Sequence, residues 1–361
     1  MCQTNIKSID VLPINYNLEN RRYIGCKAKL IDWIFQLIGE NTHDITSFCD
    51  IFAGTGVVAN KALTLYDHVI INDFLSSNNV IYNAFFADSE WDEKKISDII
   101  ESFNSLDPNK LRDNYFSKNF GGKFFENDTA KIVGYIREHI EKIRKDLNFK
   151  EYAVLLSSLI YSIDRQANTL GHFDAYIKKE IKHQDFKMQM VDVKRLPGAE
   201  IHQEDANLLA RNIHVDVVYM DPPYNSRQYS RFYHVYENLV QWKKPELYGT
   251  ALKPKEENMS DYCRVSALKV FTDLVSHADT RYFVVSYNNT YHSKSKSSEN
   301  KIKLEEIEDV LNKCGRTMVF THQYNPFNSG KTQFDDHREY LFITEVDNEK
   351  RNRSFATLLR R

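Results

Sequence analysis

Val215-Asp216-Val217-Val218-Tyr219-Met220-Asp221-Pro222-Pro223-Tyr224-Asn225 is the stretch whose reading decides the fold. The run 215–220 is apolar except for Asp216 and rich in β-branched residues, so it predicts a buried strand. The double proline must end that strand, because proline removes backbone donors and fixes φ. A carboxylate, two stiff residues and an aromatic ring are thereby gathered at the carboxyl end of a strand. Open α/β sheets bind their ligands along that edge.

The residue types point to a chemistry. The lone pair of an exocyclic amino group on a base is delocalised into the ring and is a poor nucleophile. Asp221 and the carbonyl of Pro222 can each accept one amino hydrogen and turn the lone pair toward an electrophilic methyl group. Tyr224 can stack on the base, and Pro223 keeps the turn rigid, which matters because small misplacements of reacting atoms are costly. Taken alone, the four residues also suit a plain proline-stiffened turn, so the rest of the chain must decide.

Working toward the N-terminus, residues 46–52 read as a strand, Ala53-Gly54-Thr55-Gly56 as a glycine loop, and 57–65 as a helix. A lone Gly-x-Gly carries little weight. Its context adds more: a second strand, 68–71, runs into Asn72-Asp73. Asp73 lies about 20 residues after the loop, where an acidic residue can hold both hydroxyls of a ribose. Asp50, at the tip of the first strand, can receive an ammonium group. A ligand carrying an adenosine and an amino acid would use both acids. Upstream, residues 30–38 show a helical apolar pattern, and Tyr23-Ile24-Gly25-Cys26-Lys27 forms the loop that enters it. Gly25 permits close backbone approach, and Lys27 can hold an anion or simply be an exposed base. Downstream, Asp205 can accept from the amino group of a cofactor adenine or cap the helix that follows it.

Composition narrows the field. The chain has 361 residues and a net charge of −2, so a nucleic-acid site would have to rest on local basic patches. No apolar run approaches the ~18 residues of a membrane span, and the first ten residues lack a signal-peptide core. The five cysteines are scattered without a Cys-x-x-Cys pair. That argues against a zinc site or a disulfide framework and for a reducing cytoplasm.

Between the two strand-bearing parts, residues 83–197 are charged, helical in pattern and poor in strand signals. Ile132, Val133, Ile136, Ile140 and Ile143 make one apolar stripe, and 152–163 reads as a buried helix. A polar loop with aromatics, 164–176, opens a basic run that includes Lys178 and Lys179. The run suits a solvated face or a nucleic-acid contact. Arg227 and Arg231 stand where they can meet phosphates beside a base. Residues 246–261 read as a mobile loop and 288–300 as a disordered or DNA-facing one. Three further α/β signals complete the sheet: 265–277 with 282–287, 304–313 with 317–321, and a last strand at 340–344.

With these motifs assembled, the chain resembles the N6-adenine DNA methyltransferases of bacterial restriction–modification systems, of Dam-like motif order and close to the FokI-type modification methylases. The matching stretches are 23–27, the Asp50-Ile51-Phe52-Ala53-Gly54-Thr55-Gly56 loop, Asp73, the run 221–229, Val285-Ser286-Tyr287-Asn288-Asn289 and Arg338-Glu339-Tyr340-Leu341-Phe342. They cover nearly the whole chain. One departure is Cys26, where a small hydroxyl residue or glycine is expected. The resemblance implies an α/β, Rossmann-like, class I S-adenosylmethionine-dependent methyltransferase fold with a mixed seven-stranded sheet. It implies a catalytic domain of residues 1–84 and 197–361 and a helical target-recognition insertion of 85–196. It implies cofactor contacts from Tyr23, Lys27, Asp50, Phe52, Ala53, Gly54, Thr55, Gly56, Asp73 and Asp205, and catalysis by Asp221, Pro222, Pro223 and Tyr224. No metal is required. Double-stranded DNA is the expected partner, with a cognate restriction endonuclease as a second. An RNA adenine methyltransferase, a cytosine-N4 enzyme and a silent DNA-binding regulator would share the fold. An intact Asp221 disfavours the cytosine-N4 reading, because those enzymes usually carry Ser there.

Overall fold

The structure, a computed structural model, describes residues 15–194, 196–223, 225–289, 301–323 and 338–356. Seven strands form one mixed sheet: β1 (Ser47–Asp50), β2 (His68–Asn72), β3 (Ala199–His202), β4 (His214–Met220), β5 (Asp279–Asn288), β6 (Gly315–Gln323) and β7 (Arg338–Val346). Their order is β3-β2-β1-β4-β5-β7-β6. The first five are parallel, and β7 runs antiparallel to both β5 and β6. The chain leaves β1 toward β2 on one side and β4 toward β5 on the other. The crevice of an open α/β sheet opens where the winding reverses, here between the carboxyl ends of β1 and β4.

The β4 sequence explains its central place. Val217, Val218, Tyr219 and Met220 are all fully buried. Val217 and Tyr219 join the apolar core on one face, Val218 and Met220 the core on the other, as the two-residue period of a strand requires. Asp216, the polar break in this run, sits at the opposite end from the crevice. Its carboxylate accepts from the backbone N–H groups of Thr46 and Ser47 and from Arg281, fastening β1, β4 and β5 together. Burial opposes its charge, but those hydrogen bonds outweigh it and hold the carboxyl below its ordinary range.

Between β2 and β3 the chain builds helices Ser76–Phe86, Glu93–Asn104, Tyr115–Phe120, Asn127–Lys142 and Phe149–Gln166. Ile132, Val133, Ile136 and Ile140 are the buried stripe of the fourth. These helices share one continuous core with a face of the sheet, from Phe85 and Leu159 through Phe48 and Tyr219 to Val284. After Gln166 the periodic signal ends, and residues 167–194 contain no helix and only one isolated bridge, Tyr16 to Val191. The polar segment 246–260 likewise forms no helix or strand, yet it is fastened: the side chain of Gln228 bonds the Ser260 backbone in both directions. Of the polar stretch 288–300, residues 290–300 lie outside the described residues. No helix among the described residues is long and apolar enough to cross a membrane.

Candidate active site

A cleft opens at the β1/β4 crevice. Backbone pairing brings its two acidic tips together, since Asp50 is in register with Tyr219 and the N–H of Ile51 donates to the Tyr219 carbonyl at 3.2 Å. The glycine loop follows β1. Gly54 has φ +53° and Gly56 φ +81°, and a Cβ on Gly56 would lie 3.1 Å from the Tyr82 ring. Only glycine fits there without displacing that packing. The loop is clamped from behind, because the Gly54 carbonyl accepts from Tyr82 Oη at 2.8 Å and from Arg21 Nη2 at 3.2 Å.

Asp73 closes the loop from the next strand. Its carboxylate accepts from Gly54 N at 2.9 Å and from Leu75 N at 2.8 Å. Burial raises its pKa to about 6 despite these bonds. Asp50 is buried more deeply. One oxygen accepts from Ala59 N at 3.1 Å, and the other, Oδ1, is buried without a hydrogen-bond partner. Burial first, and then the nearby Asp221 charge, push the Asp50 carboxyl well above its ordinary value. Phe52, Ala53 and Thr55 line the same wall, and the Phe52 ring meets Tyr262 edge-on at 4.9 Å. Cys26 packs its Sγ 3.7 Å from Thr55 Oγ1, so the departure at that position is accommodated by a small side chain in contact with the loop. Asp205 also lines the cleft while accepting from the N–H groups of Asn207 and Leu208, so it caps the helix Ala206–Ala210.

The other half of the cleft belongs to the end of β4 and its proline turn, backed by residues of β5 and β7. Lys27 Nζ lies 3.0 Å from Asp221 Oδ1 and 3.0 Å from Glu339 Oε1. Glu339 in turn accepts from Ser286 Oγ at 2.6 Å. Lys27 and Glu339 are both buried. Burial opposes the Lys27 charge, but the two carboxylates more than offset it and hold the ammonium above its ordinary pKa. Pro222 and Pro223 line the cleft, and Tyr224 lies outside the described residues. Tyr23 forms the adjoining wall, its ring parallel to Tyr233 at 4.5 Å and stacked with Tyr229 at 5.4 Å. Gly25 turns at φ +81°, with room for a Cβ only 3.3 Å from the Tyr229 hydroxyl.

Comparison with known proteins bears on this arrangement directly. The family model described as "D12 class N6 adenine-specific DNA methyltransferase" matches residues 23–302. The chain belongs to that family. It is 30% identical to type II methyltransferase M.CviAII of Paramecium bursaria Chlorella virus 1, over 90% of this chain and 98% of that one. It is 29% identical to M.NlaIII of Neisseria lactamica over the same shares of each chain. It is also 29% identical to M.FokI of Planomicrobium okeanokoites over 90% of this chain, which spans 53% of that longer protein. A D12 methyltransferase acts on adenine in DNA, and membership implies methyl transfer from S-adenosylmethionine.

Outside the cleft, the D12 chain distributes its cations unevenly. Arg227 is exposed just past the double proline, with its guanidinium over the Phe232 ring. Arg231 instead donates to the Pro254 carbonyl at 2.6 Å and is half-buried. Lys178 and Lys179 are exposed on the irregular segment and do not line the cleft. Two contributors had no sequence signal of their own. Glu339 and Ser286 lie within matched fragments but carry no distinguishing motif. Their roles come from sheet pairing, which sets Ser286 opposite Leu341 and Asn288 opposite Glu339.

Proposed function

We propose that the cleft is the catalytic centre of a site-specific DNA adenine-N6 methyltransferase, the modification partner of a restriction endonuclease. The observation that carries this is the meeting of Asp221 and its proline turn with the partnerless, buried Oδ1 of Asp50 one strand away. S-adenosylmethionine fits the residues present. Asp50 would take its ammonium, Asp73 its ribose hydroxyls, the Gly54–Gly56 turn its backbone-hugging side, and Tyr23 and Phe52 its apolar flanks. Asp205 would meet the adenine amino group in addition to its capping role. Bound there, the cofactor supplies an electrophilic methyl group next to Asp221.

The chain's own residues do the remaining work. Asp221 and the Pro222 carbonyl accept the two N6 hydrogens of an adenine swung out of the duplex, and Tyr224 stacks on the ring. Flipping costs a few kcal/mol, which stacking and the two hydrogen bonds offset. Lys27, anchored by Glu339, fixes the Asp221 carboxylate in place. The proton released from N6 passes to Asp221 and on to water. We assign target recognition to residues 85–196, set within the catalytic body of 1–84 and 197–361, with Arg227, Lys178 and Lys179 on phosphates. Arg231 joins them on release from Pro254.

The test is transfer of labelled methyl from S-adenosylmethionine to duplex DNA, followed by base-resolved sequencing of DNA from expressing cells. The expected product is N6-methyladenine in one sequence context. Label found instead in structured RNA or on cytosine N4, or no label at all, overturns the reading.

A further inference from the structure

The loop 168–177 is tied to the cleft-lining loop 23–27 through a shared tyrosine and carries an exposed apolar side chain, Leu170. Leu170 is 53% exposed, and Ile24, on the cleft-lining loop, is 39% exposed. Single exposed hydrophobics are ordinary on a surface. These two are not independent, because the Tyr233 hydroxyl donates to the Gly171 carbonyl at 3.4 Å and accepts from Ile24 N at 2.9 Å. Next to it, His172 stacks on Phe232 at 4.8 Å, the ring under Arg227. The loop therefore touches the segment 225–232 after the double proline directly and reaches the segment 23–27 before the glycine strand through the Tyr233 hydroxyl.

The loop is also stiffly braced. Arg22 donates to the carbonyls of Asp164, Ala167 and Thr169 and to the Asp164 carboxylate. Asn168 Nδ2 donates to the carbonyls of Lys123 and Ile177, and its own carbonyl accepts from Ile177 N at 3.0 Å, closing the loop at its base. Phe173 N donates to the Phe232 carbonyl at 2.8 Å, and Lys253 pairs with Asp174. A slack loop would let Leu170 fold down onto apolar neighbours; this bracing keeps it in water. Lys178 and Lys179 emerge directly past the closed base.

We propose that Leu170, seconded by Ile24, is a wedge that enters the DNA base stack where the target adenine leaves it. The ligand is the stacked face of the two base pairs flanking the target. Apolar side chains inserted at a base step recover stacking contact that unstacking removes. This rests on the adenine-flipping reading above. Leu170 holds the vacated space and touches neither cofactor nor reacting atoms, so it is a positioning residue.

The test compares two duplexes carrying the sequence that the wild type methylates, one with the target adenine paired and one with it opposite an abasic site. Leu170→Ala should lower kcat/KM on the paired duplex about 10- to 100-fold and on the abasic duplex less than about 3-fold, because the second substrate arrives already unpaired. Leu170→Phe should restore most of the loss, and 2-aminopurine at the target should brighten less with Leu170→Ala than with wild type. Equal losses on the two duplexes, or no loss on either, overturn the wedge. A wild type that methylates no adenine overturns instead the reading beneath it. Leu170 is exposed, so cofactor affinity and the unfolding midpoint should match wild type in both variants.

Discussion

At the tips of β1 and β2, Asp50 and Asp73 face the cleft with no ion pair among the described residues, while across the same opening Asp221 shares Lys27 with Glu339 behind it, at 3.0 Å each. Both pairs are acidic and both are largely removed from water. The β1/β2 pair pays for its burial with raised pKa values. The β4/β7 pair shares a cation of its own, which leaves one net negative charge instead of two. A half-site that withholds its own cation is arranged for a ligand that brings one. A half-site that already carries a cation suits a neutral base, which is held through hydrogen bonds. The split matches the two proposed ligands, a cofactor carrying ammonium and sulfonium charge and an uncharged adenine.

The largest expected effect tests the half that carries its own cation. Asp221→Ala should lower kcat by on the order of 10³-fold, the scale of losing a pre-placed hydrogen-bonding group at a reacting centre. Cofactor affinity by calorimetry should stay within about 3-fold, because the ammonium site is elsewhere. Normal turnover would refute the assignment. Lys27→Met comes next. It leaves two buried carboxylates without their cation, so unfolding free energy should drop by about 3–5 kcal/mol at pH 8. The loss should shrink toward pH 5, since protonating one carboxyl relieves the repulsion, and denaturant titrations at the two pH values check this.

The cationless half predicts the opposite pattern. Asp50→Asn should weaken cofactor binding about 10- to 100-fold, the worth of a charge-assisted bond. It should not lower the stability of the free protein, because a buried acid with an unmet oxygen is removed. A matching loss of stability would sink the contrast between the halves. Smaller and graded, the Asp73 pKa of about 6 sets a pH window. Binding that uses the carboxylate as acceptor should weaken as pH falls below about 6, by up to roughly tenfold per unit. Stability of the free protein runs the other way. A carboxyl whose pKa is raised by folding holds a proton that the unfolded chain releases between about 4 and 6, so this group favours the fold as pH falls through that window. Asp73→Asn should flatten both trends. The smallest effect separates two roles for Asp205: Asp205→Ala should cost about 1 kcal/mol of stability as a lost cap. A simultaneous loss of cofactor affinity would add the adenine contact.

The sequence by itself determined the strands, because their signals are local: the β-branched run of β4, the glycine loop after β1 and the acid after β2 each announce themselves within a few residues. It also located Asp50, Asp73 and Asp221 at strand ends, since a proline pair or a glycine turn stops a strand wherever the strand lies. Only the tertiary structure decided their partners. Lys27 meets Glu339 across 312 positions because β7 returns antiparallel beside β5, and no local period encodes that return. The loop bearing Leu170 is set the same way, by contacts of its neighbours with Arg22, Tyr233 and Phe232 that lie far from it in the chain. Ion pairs and loop braces depend on distance in space, and distance in space is set by the packing of the whole chain.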